Sequence, residues 1–216
     1  WWGMPKMGAE GVAIATTGTR WFLVILFLIA VWKFTPAFRS SPDGPPGEAR
    51  RQFSVGYGMA VSNVAEGGGF NFTFVVATWI SLAATTVYGM AVHVIGFCFM
   101  AFLGLGTATS VRVAEAYGRK NSEQVREASR LGVVATVLIG LVLGLVIWVF
   151  RAPIAGVLVK SDAVVDGVTI RPELLPIIGF TAFVLVFDGL QNVASMALRA
   201  QNVVWPPTIV HLMSYL

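Results

Sequence analysis

Apolar and polar residues follow one another along this chain in long blocks, not in the short periods of a soluble fold. Six apolar stretches occur in order, at about 9–32, 55–80, 84–107, 131–150, 174–198 and, as the beginning of a sixth, 205–216. The first five have the roughly 17–25 residues a helix needs to cross a hydrocarbon core. The connections differ from one another. RSSPDGPPGEARRQ, between the first two stretches, contains Pro-Asp-Gly-Pro-Pro-Gly, which cannot continue a helix and predicts a linker. RVAEAYGRKNSEQVREASR, at 112–130, is charged and of good helix propensity. It predicts an amphipathic surface helix running into the fourth stretch. The pattern as a whole predicts an all-α membrane protein, a polytopic transmembrane helix bundle.

Composition agrees with that class. Of 216 residues, 56% are hydrophobic and only 12% charged, against about 25% charged in an average soluble domain. The formal charge of +4 is carried by basic residues gathered between the apolar stretches. No basic face with interleaved aromatics is present, so no nucleic-acid partner is expected. If the spans alternate, ten Lys and Arg residues fall on one side, flanking the first linker, along 112–130 and at Arg199. Four fall on the other, Lys6, Arg151, Lys160 and Arg171. The positive-inside rule makes the richer side cytoplasmic. Arg20 lies within the first stretch and belongs to neither count; snorkelling, pairing with an acid and lining a cleft all stay open for it. The lone Cys98 and the widely spaced His93 and His211 offer neither a disulfide framework nor a zinc site. The chain opens without Met and stops within an apolar stretch, as expected of a piece of a longer protein.

Two lone acids carry the candidate chemistry. Glu66 and Asp188 each lie about 11 residues into an apolar segment, 55–80 and 177–198. At about 1.5 Å rise per residue, each sits near the bilayer midplane. An acid at that depth costs about 2.5–3.5 kcal/mol on insertion scales, so it faces a bundle interior or wet cavity and marks an ion or substrate path. The plainer alternative is a buried acid satisfied by Ser, Asn or Arg. Around Asp188, the residues Gln191, Asn192, Ser195 and Arg199 fall within about 60° on one helix face. Around Glu66, so do Ser62, Asn63 and Thr73. These seams are expected to turn toward each other or toward a cavity. Ordinary inter-helix hydrogen bonding would explain the Ser, Thr and Asn residues but not the acids. Gly67-Gly68-Gly69 follows Glu66; it predicts either local unwinding that frees carbonyls toward an ion or close helix packing. Tyr88 is a belt residue or faces the site, and Gly140 and Gly144 form a GxxxG pair.

Several stretches, taken in order, resemble one family, the multidrug and toxic compound extrusion (MATE) antiporters. FDGLQNVASMALRAQNVVWPP resembles the family's segment built on an intramembrane Asp, a following Gln, then Leu-Arg and Pro. TATSVRVAEAYGRKN resembles its cytoplasmic connection after the second helix of a lobe, and GAEGVAIATTGTRWF the opening of the last helix of its first lobe. The resemblance implies a portion of a twelve-helix, two-lobe transporter. Residues 1–38 would be the last helix of the first lobe and 39–53 the cytoplasmic inter-lobe linker. Residues 54–216 would be the second lobe, with four complete helices and the start of a fifth. It also implies that Glu66 and Asp188 form a cation site for H+ or Na+, with Asn63, Ser62, Thr73, Gln191, Asn192 and Tyr88 as supporting polar residues. Two departures stand out. The family's Arg-Gly-x-x-Asp is here Arg199-Ala200-Gln201-Asn202-Val203, and a Tyr of sodium-coupled relatives is Val184.

The expectation is a cation-coupled efflux antiporter for drug-like, cationic or amphipathic small molecules. It would work by alternating access in the bacterial inner membrane, with the lipid bilayer and the missing first lobe of the same chain as its other partners, and with no cofactor. The alternative is a lipid-linked saccharide flippase of the same superfamily, which would line its cleft with basic residues where only Arg20 is available here. No enzyme is expected. An intramembrane aspartyl protease needs Gly-x-Gly-Asp, whereas Gly104-Leu105-Gly106 is followed by Thr107.

Overall fold

In a computed structural model the described residues are 7–34 and 47–215, without the side chains of Glu48, Arg51 and Tyr215. Lys6, Arg39, Leu216 and most of the 39–53 linker lie outside them. The chain divides into two compact units, Trp1–Ala49 and Arg50–Leu216. Among the described residues the first holds one whole helix, α1 (Gly8–Phe34), which is mostly apolar apart from Glu10, Arg20 and Lys33 and has no buried residue. The second unit carries α2 (Glu48–Ile80), α3 (Leu82–Gly118), α4 (Ser122–Val149), the short α5 (Arg151–Leu158), the two-residue strands β1 (Val164–Val165) and β2 (Val168–Thr169), α6 (Ile170–Arg199) and α7 (Trp205–Tyr215). Its first helix starts at Glu48, inside the stretch read as linker.

Four helices, α1, α3, α4 and α6, are long and apolar enough to cross a membrane. The segmentation above expects five complete spans. The fifth, α2, has the length at 33 residues. Its polar seam, its glycines and Asn71 leave it outside the four that qualify by apolarity. A second difference concerns 112–130. No separate surface helix forms there. α3 runs on to Gly118, and α4 begins at Ser122 under the side chain of Asn121, which accepts from the Gln124 N–H. Gly118 is a poor helix residue, Lys120 takes a left-handed φ of 56° and Asn121 is a good N-cap, so the helix breaks and restarts. Glu115 and Arg119 pair across the last turn of α3.

Two features are absent from the sequence reading, α5 and the hairpin. In the latter Asp166 and Gly167, at φ 50° and 77°, form the two-residue turn between β1 and β2, as the twist of a tight antiparallel hairpin requires. Asp166 Oδ2 accepts from the Leu82 N–H at 3.2 Å, tying the hairpin to the start of α3.

The core lies where α3, α4 and α5 pack on α6, around Phe102, Ile147, Ile170, Leu174, Ile178 and Leu185. Small residues let the helices approach. A Cβ on Gly189 would stand 2.6 Å from the Phe102 ring, and one on Gly144 2.7 Å from the Ala182 carbonyl oxygen. Gly140 faces the Val186 backbone, so both glycines of the GxxxG pair lie in the α4–α6 crossing. Large apolar side chains outside these seams, among them Phe97, Leu138 and Val142, are exposed. Inverted in this way relative to a soluble protein, the surface suits hydrocarbon as its solvent.

Candidate functional site

α6 presents Asp188, Gln191, Asn192, Ser195 and Arg199 along one face. Ser195 is buried and the other four are half-buried. α2 brings Ser62, wholly buried, and Glu66, half-buried and one turn further on. α7 seats against α2 at Gly58, where the Thr208 hydroxyl donates to the Gly58 carbonyl at 3.0 Å. A Cβ on Gly58 would meet Val204 at 2.6 Å. This contact delivers His211, only 6% exposed, to the same place.

A polar chain then links three helices. Arg199 Nη2 donates to Ser62 Oγ at 2.7 Å, Ser62 Oγ bonds His211 Nδ1 at 2.6 Å, and His211 Nε2 meets Gln191 Nε2 at 3.0 Å. Both orientations of the Gln191 amide fit a neutral imidazole. If the amide NH2 donates, Nδ1 carries the proton and donates to Ser62. If the amide oxygen faces the ring, Nε2–H donates and the Ser62 hydroxyl donates to Nδ1. Beside this chain, Asn192 Oδ1, Ser195 Oγ and Arg199 Nε are buried without a hydrogen-bond partner. Such orphaned groups are costly, about 1–3 kcal/mol each.

The two acids stand next to this network and differ from it. Asp188 is within electrostatic range of Glu66, and Glu66 within range of Arg199. Among the described residues, neither carboxylate has a hydrogen-bond or ion-pair partner. Two half-buried, unpartnered carboxylates offer the oxygen ligands that hard cations take, and the nearby guanidinium offsets part of their charge. No group of three or more His, Cys, Asp or Glu that could hold a metal ion occurs among the described residues.

The remaining candidates are distributed unevenly. Asn192 packs on Gly106, where a Cβ would lie 2.7 Å from its Oδ1. The Tyr88 hydroxyl donates to the Phe70 carbonyl at 3.4 Å, and its ring meets Phe74 edge-on at 5.7 Å. Asn63 and Thr73 are exposed within this unit, Thr73 bonding only the Gly69 carbonyl of its own helix. Gly67, Gly68 and Gly69 neither unwind α2 nor, for the first two, pack against a neighbour: the helix is continuous and a Cβ on either would meet nothing within 4 Å. His93 is exposed in this unit. His211 and Arg199 are the members sequence reasoning undervalued. Their signal was available, as polar residues within or at the end of apolar stretches.

Membrane-length apolar helices packed through small residues, with a buried polar seam where α6 meets α2 and α7, define an all-α, multi-pass membrane protein. The chain belongs to the MatE family, whose model matches residues 59–216. A "Probable multidrug resistance protein NorM" of Caulobacter vibrioides is 30% identical over 217 residues, covering 99% of this chain and 45% of the relative. A protein of the same description from Bradyrhizobium diazoefficiens is 31% identical over 211 residues, covering 93% of this chain and 44% of the relative. One from Deinococcus radiodurans is 27% identical over 219, covering 100% of this chain and 47% of the relative. The chain thus spans about half the length of the curated relatives it matches. No solved structure matches it.

Proposed function

We propose that this chain is the second-lobe portion of a cation-coupled multidrug efflux antiporter, preceded by the last helix of the first lobe. The observation that carries the reading is the pair of half-buried, unpartnered carboxylates, Glu66 and Asp188, in electrostatic range of each other inside a membrane-length bundle. The names of the relatives support multidrug substrates. These substrates are small, drug-like and cationic or amphipathic, and they occupy a cleft completed by the rest of a chain about twice this length.

The mechanism follows from charge. With both acids ionised, Glu66, Asp188 and Arg199 carry one net negative charge in a poorly solvated place. One proton or one sodium ion neutralises them, and the interacting acids titrate as a pair rather than singly. Loading the cation changes the electrostatic energy of the packed seam, and hence the energy of rearranging α2 against α6 and α7. By linkage, a cation that alters drug affinity by some factor has its own affinity altered by the drug by the same factor. Rocking between two arrangements then exports drug from the cytoplasm across the inner membrane.

Asp188→Asn and Glu66→Gln test this in the full-length protein. The amide keeps shape and hydrogen-bonding capacity but not the charge, and removing an intramembrane charge eases insertion. Cation-driven efflux should be lost in each variant while membrane expression is kept, with drug binding surviving better than transport. Efflux within about twofold of the parent in both would make the acids structural polar groups and overturn the reading.

A further inference from the structure

The α4–α6 seam carries a feature that the cation site does not use. At its cytoplasmic end, by the positive-inside assignment, a cavity of about 1050 Å³ opens between the α3–α4 turn, the first turns of α4 and the last turns of α6. Its mouth is basic: Lys120 and Arg126 line it, with Ser122 at the N-terminus of α4 between them. Among the described residues, none that lines it is acidic. Its walls are apolar, formed by Val133, Ala194 and Leu198 among others, and Val133 and Leu198 are exposed. The opposite face of the α3–α4 pair makes the contrast. The cavity there mixes Arg112 and Arg119 with Glu115 and Glu127, and Arg119 is already paired with Glu115. Further along α4 and α6 the same seam holds a second, apolar cavity, lined by Leu141, Leu145, Phe183 and Phe187. Its walls are themselves exposed.

We propose that this basic-mouthed groove is a binding site for an anionic phospholipid of the cytoplasmic leaflet, headgroup phosphate at Lys120 and Arg126 and acyl chain along the α4–α6 seam. Charge selects the headgroup: two unpaired cations and a helix N-terminus favour a phosphate, and the absence of an acid removes the competitor that occupies Arg119 on the other face. Geometry selects a lipid over a free anion. A soluble phosphate needs only the mouth, whereas the groove continues into exposed apolar walls that suit an acyl chain and nothing hydrated. The location is also where anionic lipid is found, since basic residues at the cytoplasmic surface are drawn to the negative potential of that leaflet.

The test uses the full-length protein in detergent micelles, with native mass spectrometry of adducts as phosphatidylglycerol or phosphatidylcholine is titrated. Phosphatidylglycerol should be retained in preference to phosphatidylcholine. Lys120→Gln with Arg126→Gln should lower its affinity by about tenfold or more, each basic residue contributing to attraction for anionic lipid. Ala194→Phe, which fills the apolar wall with both charges kept, should lower it as well. Arg112→Gln with Arg119→Gln, on the other face, should leave it within about twofold. Equal binding of the two lipids, full retention by either groove variant that elutes as a monodisperse protein, or equal loss in the Arg112/Arg119 variant would overturn the proposal. So would displacement of phosphatidylglycerol by millimolar inorganic phosphate, which would mark a free-anion site.

Discussion

At the scale of single residues, the seam around Ser62 shows how much one oxygen can hold. Ser62 is wholly buried, accepts from Arg199 and bonds His211, which in turn meets Gln191. Ser62→Ala removes the common member and takes a buried hydrogen-bond partner from both the Arg199 guanidinium and His211 Nδ1. The expected cost is about 1–3 kcal/mol for each group left unpaired. Thr107→Ala, which removes a hydroxyl bonded only to its own helix at Leu103, should stay within about 0.5 kcal/mol. Thermal unfolding of the two full-length variants in one detergent distinguishes them; equal melting points would show that the network contributes nothing to stability. Glu66 and Asp188 were legible in the sequence because each is the one acid of a long apolar segment. His211 stood out less, because its importance comes from its partners on two other helices, Ser62 and Gln191. Asn63 and Thr73 share the Glu66 face by angle. A stripe about 120° wide is broader than one neighbour, and angle alone cannot say which flank is covered.

At the scale of elements, the membrane-length helices could be read from apolar run lengths, while the breaks between them could not. The α3–α4 connection looked like one surface helix because good helix formers surround Gly118 and Asn121. The break is decided by backbone conformation at Lys120 and by the Asn121 cap. The Asp166-Gly167 turn carried a recognisable hairpin signal. Its two-residue strands, however, are too short to show alternation. Packing between elements is testable at Gly144, whose Cβ would press on the Ala182 carbonyl oxygen. Backbone cannot yield as a flexible side chain does, so Gly144→Val should separate α4 from α6 at a cost of about 1–3 kcal/mol. Gly104→Ala, with nothing within 4 Å, should be neutral or stabilising by up to about 1 kcal/mol. Melting curves of the full-length variants give the comparison. Gly144→Val unfolding with the parent would show that the crossing tolerates a side chain.

At the scale of the whole molecule, orientation is the property with the widest reach, since it decides which face meets the cytoplasm. The basic connection at 112–130 should be cytoplasmic because such segments resist translocation. In a background cleared of native cysteines, Cys98→Ser included, Glu123→Cys places a probe on the exposed first turn of α4. An impermeant maleimide should modify it only after the cells are opened. Labelling of intact cells from outside would invert the assignment.

The continuity of α2 through Gly67 and Gly68 has a mechanical side. On one flank of the glycines, Gly58 and Ser62 hold the helix to α6 and α7; on the other, Phe74 rests against Tyr88 and Gly89 of α3. Between these grips lies Gly67-Gly68, where a Cβ on either residue would meet nothing within 4 Å. A rod clamped at two places and thinned in between concentrates curvature in the thinned part. Glycine also makes the helical state least favourable there, by about 1 kcal/mol per residue relative to alanine. Any twist applied to one half of α2 is therefore absorbed within a turn of Glu66, so the carboxylate sits beside the point of greatest flexure rather than at the end of a stiff arm.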